Sequence, residues 1–489
     1  MRWGYRRPDV PRLLVLIPLL AWLFHGDPAP VGPTWLAALL VFGGCALIPL
    51  IALASNVVAL RRLSAGRAPP RWARLARSAT LPMLLGWYGA CLWSGGWPGA
   101  VVDLVGRSDG TAGLLLGTLP AYVGWAILLA ADFPAARRRR ELRRRHDDLM
   151  GRPITPPLRL GPWWLSGLRT QLLLTLAPLV AFWLVRDIAE VLLNKSADAA
   201  NVRVTADVAA LVLTGAGLIA ALTAAPLLVS RILPTRPISG EGADRLHDLV
   251  DRSGLRDSGR KLLRAWHTEN AVANALAVGV LPRLRYVLLS DLLLRALPPW
   301  QLEAVLAHEL GHLRHRHVVW FVLFFAACGL GLIGPIDRLY GAVVPTDLPA
   351  WVDDATSLGL LGVVLAGFLL LSRLFERQAD VFAAKLIEPE QGGVGPTGAW
   401  AFGQALHSAV GLNGGGDPGV SVGGSWVARL WRSRGRLAHV LHGSPERRVG
   451  YLAWLAEDPR RTRRFDRRVV VIKSGIALLG LLSLAWLAL

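Results

Sequence analysis

A chain of 489 residues that is 53% hydrophobic, with a mean hydropathy of +0.41 and a net charge of +20, is not composed like a soluble globular protein. Apolar runs joined by basic loops, the pattern of a polytopic membrane protein, reconcile these values. The excess charge is nearly all arginine flanking apolar segments, with lysine only at Lys195, Lys261, Lys385 and Lys473, which argues against a nucleic-acid partner.

In chain order, runs long enough to cross about 30 Å of hydrocarbon are expected at 34–54, 79–97, 112–132, 171–187, 206–230, 318–341, 355–372 and 469–489. A shorter run, Leu13–Phe24, reads as a short first helix or as a signal-peptide core. The helix is favoured, because no pair of small residues marks a cleavage site after Phe24. The count is therefore eight or nine spans. Segments 1–12, 61–78 and 134–170 carry 4, 6 and 10 Arg or Lys, whereas 25–33, 98–111 and 186–205 carry 0, 1 and 3. The asymmetry predicts that the arginine-rich loops face the cytoplasm of a cell-membrane protein. The same alternation puts 231–317 and 373–468 in the cytoplasm. The loop 342–354, with Asp347, Asp353 and Asp354 and no Arg or Lys, falls outside. The expected organisation is a multi-span region at 1–230, a cytosolic segment at 231–317 and a membrane hairpin at 318–372. A second cytosolic segment follows at 373–468 and a last span at 469–489. Cys45, Cys91 and Cys328 lie inside apolar runs and make no disulfide framework or C-x-x-C pair.

The first cytosolic segment contains His308-Glu309-Leu310-Gly311-His312. Histidines four apart share one face of a helix and can share a zinc ion, with Glu309 placed to act on a water as general base. A third ligand is needed. His315 lies on the same face, but seven helical residues rise about 10.5 Å, too far for one straight helix to close a site with bonds of about 2 Å. His315 and His317 read instead as a basic helix end at the membrane surface. Glu376 is the better candidate, because a membrane hairpin returns the chain to the face it left. Alone it would read as an interfacial ion pair to Arg373 or Arg377; beside the motif it reads as a ligand. Asp380, one helical turn later, can accept a hydrogen bond from the free ring nitrogen of a ligating histidine.

Elsewhere the signal is thinner. Residues 235–265 read as an amphipathic helical linker with Leu246, Leu249, Val250 and Leu255 in its core. Asn274, Ala275, Leu276 and Ala277 open an apolar stretch. It is either an edge strand to which a substrate adds or an ordinary strand. The glycine-rich 391–424 reads as a mobile loop, with His407 structural rather than a ligand.

Asn274-Ala-Leu-Ala277, Leu292-Leu-Leu294, Ala304–His312, Ser372-Arg-x-x-Glu376-x-x-Ala-Asp380 and His442-Gly-Ser-Pro-Glu-Arg-Arg448-Val occur in one order over about 270–450. In this the chain resembles the HtpX and CAAX prenyl protease type of membrane zinc peptidase. The resemblance implies a mainly α, polytopic membrane protein with a cytosolic gluzincin-like domain containing a small β element. It implies zinc on His308, His312 and Glu376, with Glu309 as base. His442 would steady the oxyanion, with Arg448 supporting the site. The substrate would be a polypeptide, such as a membrane protein or a lipidated peptide, met at the lipid bilayer. Two departures touch substrate details: His442 is followed by Gly443 rather than proline, and Leu276 replaces an aromatic residue. Two other classes compete with a peptidase. A catalytically silent scaffold or transporter would not require Glu309. A sensor-transducer would favour larger external loops.

Overall fold

The computed structural model describes residues 12–23, 33–149, 156–200, 206–240, 242–255, 262–268, 273–328, 350–388, 394–412 and 443–487. They are mostly helical, with one small sheet. His442 lies outside the described residues, as do the tip of the 318–372 hairpin and the segment 413–424. The chain divides into two compact units, one from residues 10–234 with 268–270, the other from 235–267 and 271–489.

The first unit is helical. It contains α1 (Ile17–Leu23), α2 (Thr34–Ser64), α3 (Arg71–Trp93), α4 (Trp97–Val105), α5 (Thr111–Ala131), α6 (Phe133–Leu149), α7 (Leu160–Leu168), α8 (Leu174–Ala200) and α9 (Ala206–Ile232). A single π-helical turn, Arg169–Leu173, joins α7 to α8. Val41, Cys45, Leu84, Tyr88, Trp97, Val101 and Trp125 form its core, around α2, α3 and α5. Aromatic residues with a polar handle satisfy backbone there: the Trp97 indole and the Tyr88 hydroxyl both donate to the Gly117 carbonyl, at 2.8 and 3.1 Å. The three cysteines are buried and free.

Among the described residues four helices are long and apolar enough to cross a membrane: Thr34–Ser64, Thr111–Leu142, Leu160–Leu192 and Gly359–Ile387. The run expected at 79–97 is shorter than expected. Its helix, α3, opens with Arg71, Arg74 and Arg77 and ends at Trp93, before the left-handed Gly96.

The second unit holds the histidine motif. Its sheet consists of β1 (Thr235–Pro237), β2 (Leu263–Trp266), β3 (Ala275–Val278) and β4 (Tyr286–Ser290), in the order β1-β2-β4-β3. β2 and β4 are parallel, and the other pairs are antiparallel. β3 is therefore an edge strand. α10 (Ala243–Arg252) buries Leu246, Leu249 and Val250, the face expected of it. The flanking residues correct the linker reading: β1 and β2 belong to the sheet, and Leu262 and Leu263 are fully buried. Strands of three and four residues are too short for an alternation signal.

Beyond β4, the Ser290 hydroxyl caps α11 (Asp291–Ala296), accepting from the Leu293 N–H. Pro299 then starts α12 (Pro299–Arg314), preset for the first helical position. α12 packs on β3 and β4 and on the long α14 (Ala350–Ile387). Between them lies α13 (His317–Cys328). The core joins Leu249, Leu263, Leu289, Leu306, Leu310, Ala383 and Phe402.

The loop reading of 391–424 is corrected over its first half. Residues 396–412 form α15 (Pro396–Leu412), which buries Ala399, Ala401, Phe402 and Ala405. The small residues there are packing residues. A Cβ at Gly398 would stand 2.3 Å from the Ala384 carbonyl oxygen, so glycine lets α15 meet α14. α16 (Pro445–Ala456) and α17 (Pro459–Leu487) complete the unit.

Candidate active site and metal centre

α12 presents His308 and His312 one turn apart, as their spacing requires, and α14 faces them with Glu376 and Asp380. The helices meet closely because residue 311 is glycine. A Cβ there would lie 3.0 Å from Ala379 Cα and 3.2 Å from the Ala379 carbonyl oxygen. In sequence, α13 and the first part of α14 are the described elements that separate His312 from Glu376.

The two histidine Nε2 atoms are 3.2 Å apart. Glu376 Oε2 is 3.6 Å from His308 Nε2, and Glu376 Oε1 is 3.7 Å from His312 Nε2. One ligand atom from each residue falls within 4.8 Å of the others. Tetrahedral bonds of about 2.0–2.1 Å place ligand atoms roughly 3.3–3.4 Å apart, so the donor set fits zinc in type, number and spacing. Two imidazole nitrogens facing each other at this distance suit lone pairs that converge on one cation.

Charge around the site is tightly balanced. His308 Nδ1 is 2.9 Å from Asp380 Oδ1. The Arg448 guanidinium grips Asp380 with two nitrogens and lies 3.4 Å from Glu376 Oε2. Arg448 also sits over the Phe402 ring, 5.7 Å from its centroid. Burial alone would lower the His308 pKa, but the Asp380 and Glu376 carboxylates outweigh it and raise it to about 9. Burial and the neighbouring His308 push His312 down to about 4. Burial opposes ionisation of Asp380, yet Arg448 and His308 prevail and hold it below the usual carboxylate range. The Arg448 pKa is raised, its carboxylate partners outweighing its burial.

Glu309 points toward the sheet: its Oε2 accepts the Ala277 N–H at 2.8 Å. In β3, Ser290 N–H donates to the Asn274 carbonyl, so residues 274, 276 and 278 pair with β4 and residues 275 and 277 turn their backbone groups to the open edge. The stretch Asn274–Ala277 thus lies beside the base. A small pocket lined by Ala277, Gly279, Arg285, His312 and Val318 lies at the end of this strand.

The structure brings together His308, Glu309, His312, Glu376, Asp380 and Arg448, with Asn274, Ala275, Leu276 and Ala277 alongside through β3. His442 is the predicted site residue for which no geometry is described. The reading of His315 and His317 as a basic helix end is corrected. His317 is 1% exposed, and its Nδ1 is 2.9 Å from His312 Nδ1. Arg316, at a φ of 53°, breaks the helix and turns His317 inward. The sequence carries a histidine run at this point but no signal for that turn. Gln378, which contacts His317, lies between Glu376 and Asp380 and was marked by nothing but that position.

Residues 243–399 match peptidase family M48. The chain is 40% identical over 85 residues to a protein named "Protease HtpX homolog" from Pelotomaculum thermopropionicum, covering 17% of this chain and 30% of that one. It is 32% identical over 163 residues to "Protease HtpX homolog 1" of Streptomyces coelicolor, covering 31% and 51%. A solved structure of S. mikatae Ste24p covers 87% of this chain and all of its own at 16% identity, with a TM-score of 0.35, too loose a likeness to bear on the chemistry. The chain thus spans about a third to a half of the length of these two curated relatives.

Proposed function

Taking residues 243–399 as a peptidase family M48 domain, we propose that this protein is a membrane-embedded zinc-dependent endopeptidase. The observation that carries the reading is the convergence of two histidine nitrogens and the Glu376 carboxylate within 4.8 Å, with Glu309 on the same helical turn. His308, His312 and Glu376 are the proposed metal ligands. Zinc bound there would acidify a water and polarise the carbonyl of the scissile bond.

The chain's own residues do the rest. Glu309 takes a proton from the attacking water and delivers it to the departing amine. Asp380 fixes the ring of His308 through Nδ1, and Arg448 keeps Asp380 ionised and holds both Asp380 and Glu376 in place. The outward groups of β3 receive the substrate backbone as an added strand, which recognises extended polypeptide rather than sequence. His442 is proposed to donate to the oxyanion.

The proposed setting is the cell membrane, crossed eight or nine times, with the site facing the cytoplasm. Polypeptides, membrane proteins or lipidated peptides among them, are the proposed substrates, and the arginine distribution supports the orientation. Cleavage of an unfolded membrane protein in detergent, wild type against Glu309→Gln with zinc measured on the same samples, tests the chemistry. Equal cleavage by both would refute it. Reporter fusions after residue 150 and near 420 should read cytoplasmic, and those near 105 and 350 external; an external signal at 420 would refute the orientation.

A further inference from the structure

His317 takes no part in this chemistry, yet both its ring nitrogens are engaged. Nδ1 is 2.9 Å from His312 Nδ1, and Nε2 is 3.0 Å from Gln378 Oε1. The ring lies flat on Phe375, with centroids 4.4 Å apart and planes 3° from parallel. Gln378 is itself buried, at 9% exposure. Its Oε1 also accepts from Lys473 Nζ at 3.1 Å, and its Nε2 is 3.3 Å from His315 Nδ1. Lys473, on α17, donates as well to the His315 carbonyl at 3.3 Å. Its ammonium lies over the rings of Phe375 and Trp320, at 5.2 and 5.4 Å.

Counting donors and acceptors gives this chain of contacts a direction. An ammonium has three N–H groups and no acceptor, so the amide atom of Gln378 that faces Lys473 must be the oxygen. That oxygen also faces His317 Nε2, which must therefore carry the ring proton. His317 Nδ1 is then bare and can only accept. His312 must supply the proton from its own Nδ1, which leaves the His312 Nε2 lone pair free. Nε2 is the atom aimed at His308 and Glu376. A metal bound through Nε2 demands the same tautomer from the other end. The two ends agree, although a reversed amide would have placed two N–H groups against each other.

We propose that Lys473, Gln378 and His317 form a positioning chain that presets the metal-binding tautomer and ring orientation of His312, tying the metal site to the C-terminal apolar helix. The inference rests on His312 being a metal ligand, as proposed above. Zinc, not peptide hydrolysis, is the probe.

The test uses the full chain in detergent. Zinc dissociation constants come from competition with a chromophoric chelator, the ligand field from the visible spectrum of the cobalt(II)-loaded protein, and folding from thermal melting. His317→Phe keeps the stack on Phe375 but has no acceptor. It should weaken zinc binding about 10- to 100-fold and shift the cobalt bands. His317→Asn places an amide oxygen near the lost acceptor and should recover much of that loss. Lys473→Met keeps the aliphatic stem and removes the donor that orients the amide, and should weaken zinc about 10-fold. Zinc affinity in a folded His317→Phe protein within about twofold of wild type would overturn the proposal, and so would an Asn variant no better than Phe. If His317→Phe does not fold, Lys473→Met decides: weakened zinc with an unchanged melting temperature supports the chain, and unchanged affinity overturns it. A wild-type protein that binds no zinc would sink the metal reading itself, a different result from any of these.

Discussion

Gly311→Ala adds one methyl group where the two halves of the site meet. The new Cβ would stand 3.0 Å from Ala379 Cα, 3.2 Å from its carbonyl oxygen and 3.2 Å from Phe382 Cδ1. Relaxed carbon contacts lie at about 3.5–4.0 Å, so α12 and α14 must separate by roughly 0.5 Å at this level. Overpacking of this kind costs about 1–3 kcal/mol. Alanine in place of glycine within a helix returns about 1 kcal/mol. The net change in stability is then between about zero and 2 kcal/mol of loss, so melting is not the deciding readout. The metal is a finer gauge. Ala379 lies between Glu376 and Asp380, and residue 311 adjoins His312. A shift of roughly 0.5 Å there exceeds the tolerance of about 0.2 Å on metal–ligand distances. Zinc affinity should fall about 10- to 100-fold, the scale for disturbed metal-orienting contacts. The assay is chelator competition on purified protein, with Gly450→Ala as control. That glycine is also helical, but its added Cβ meets nothing within 4 Å. The control should bind zinc like wild type. If Gly311→Ala binds zinc like the control, close helix approach does not set the ligand geometry and the reasoning fails.

Glu309→Gln should keep zinc and fold, because Glu309 is not a ligand, while proteolysis falls by at least about 10²-fold; loss of zinc in this variant would contradict its role. Glu376→Ala should lose zinc at concentrations where wild type is saturated, and full occupancy measured by elemental analysis would remove Glu376 from the ligand set. Arg448→Met takes the guanidinium from the buried Asp380 and Glu376, leaving them only the His308 ring, and should cost about 3–5 kcal/mol in metal-free protein, read by denaturant unfolding. Stripping zinc with a chelator should lower the melting temperature of wild type but leave that of Glu376→Ala unchanged, which differential scanning calorimetry checks.

The parts of this site that could be read from sequence are those whose geometry is local or forced by topology. His308 and His312 share a face because helices repeat every 3.6 residues. A hairpin over 318–372, the expectation that pointed to Glu376, lies partly outside the described residues, but Glu376 does face the two histidines. Asp380 follows Glu376 by one turn. What stayed hidden depends on breaks and on packing. Arg316 adopts a left-handed backbone without being a glycine, and that single residue turns His317 from an apparent surface position into the core. Gly398 and Ala401 looked like loop composition because smallness serves both loops and close helix contacts. β1 and β2, at three and four residues, are defined by their partners in the sheet rather than by their own pattern.

The bond from the Ala277 N–H to Glu309 has a bearing on how the protein could be blocked. An extended peptide mimic laid along β3 finds the outward groups of Ala275 and the carbonyl of Ala277, but the Ala277 N–H already holds the carboxylate. Compounds therefore fall into two kinds. One leaves that donor alone, keeps the base where it rests and competes only for the strand. The other offers its own carbonyl to Ala277 and must displace the Glu309 side chain. The two would be told apart by Glu309→Gln, since the replacement amide can still accept from Ala277 but carries no charge to hold the donor, so that compounds of the second kind alone should bind the variant more tightly than wild type.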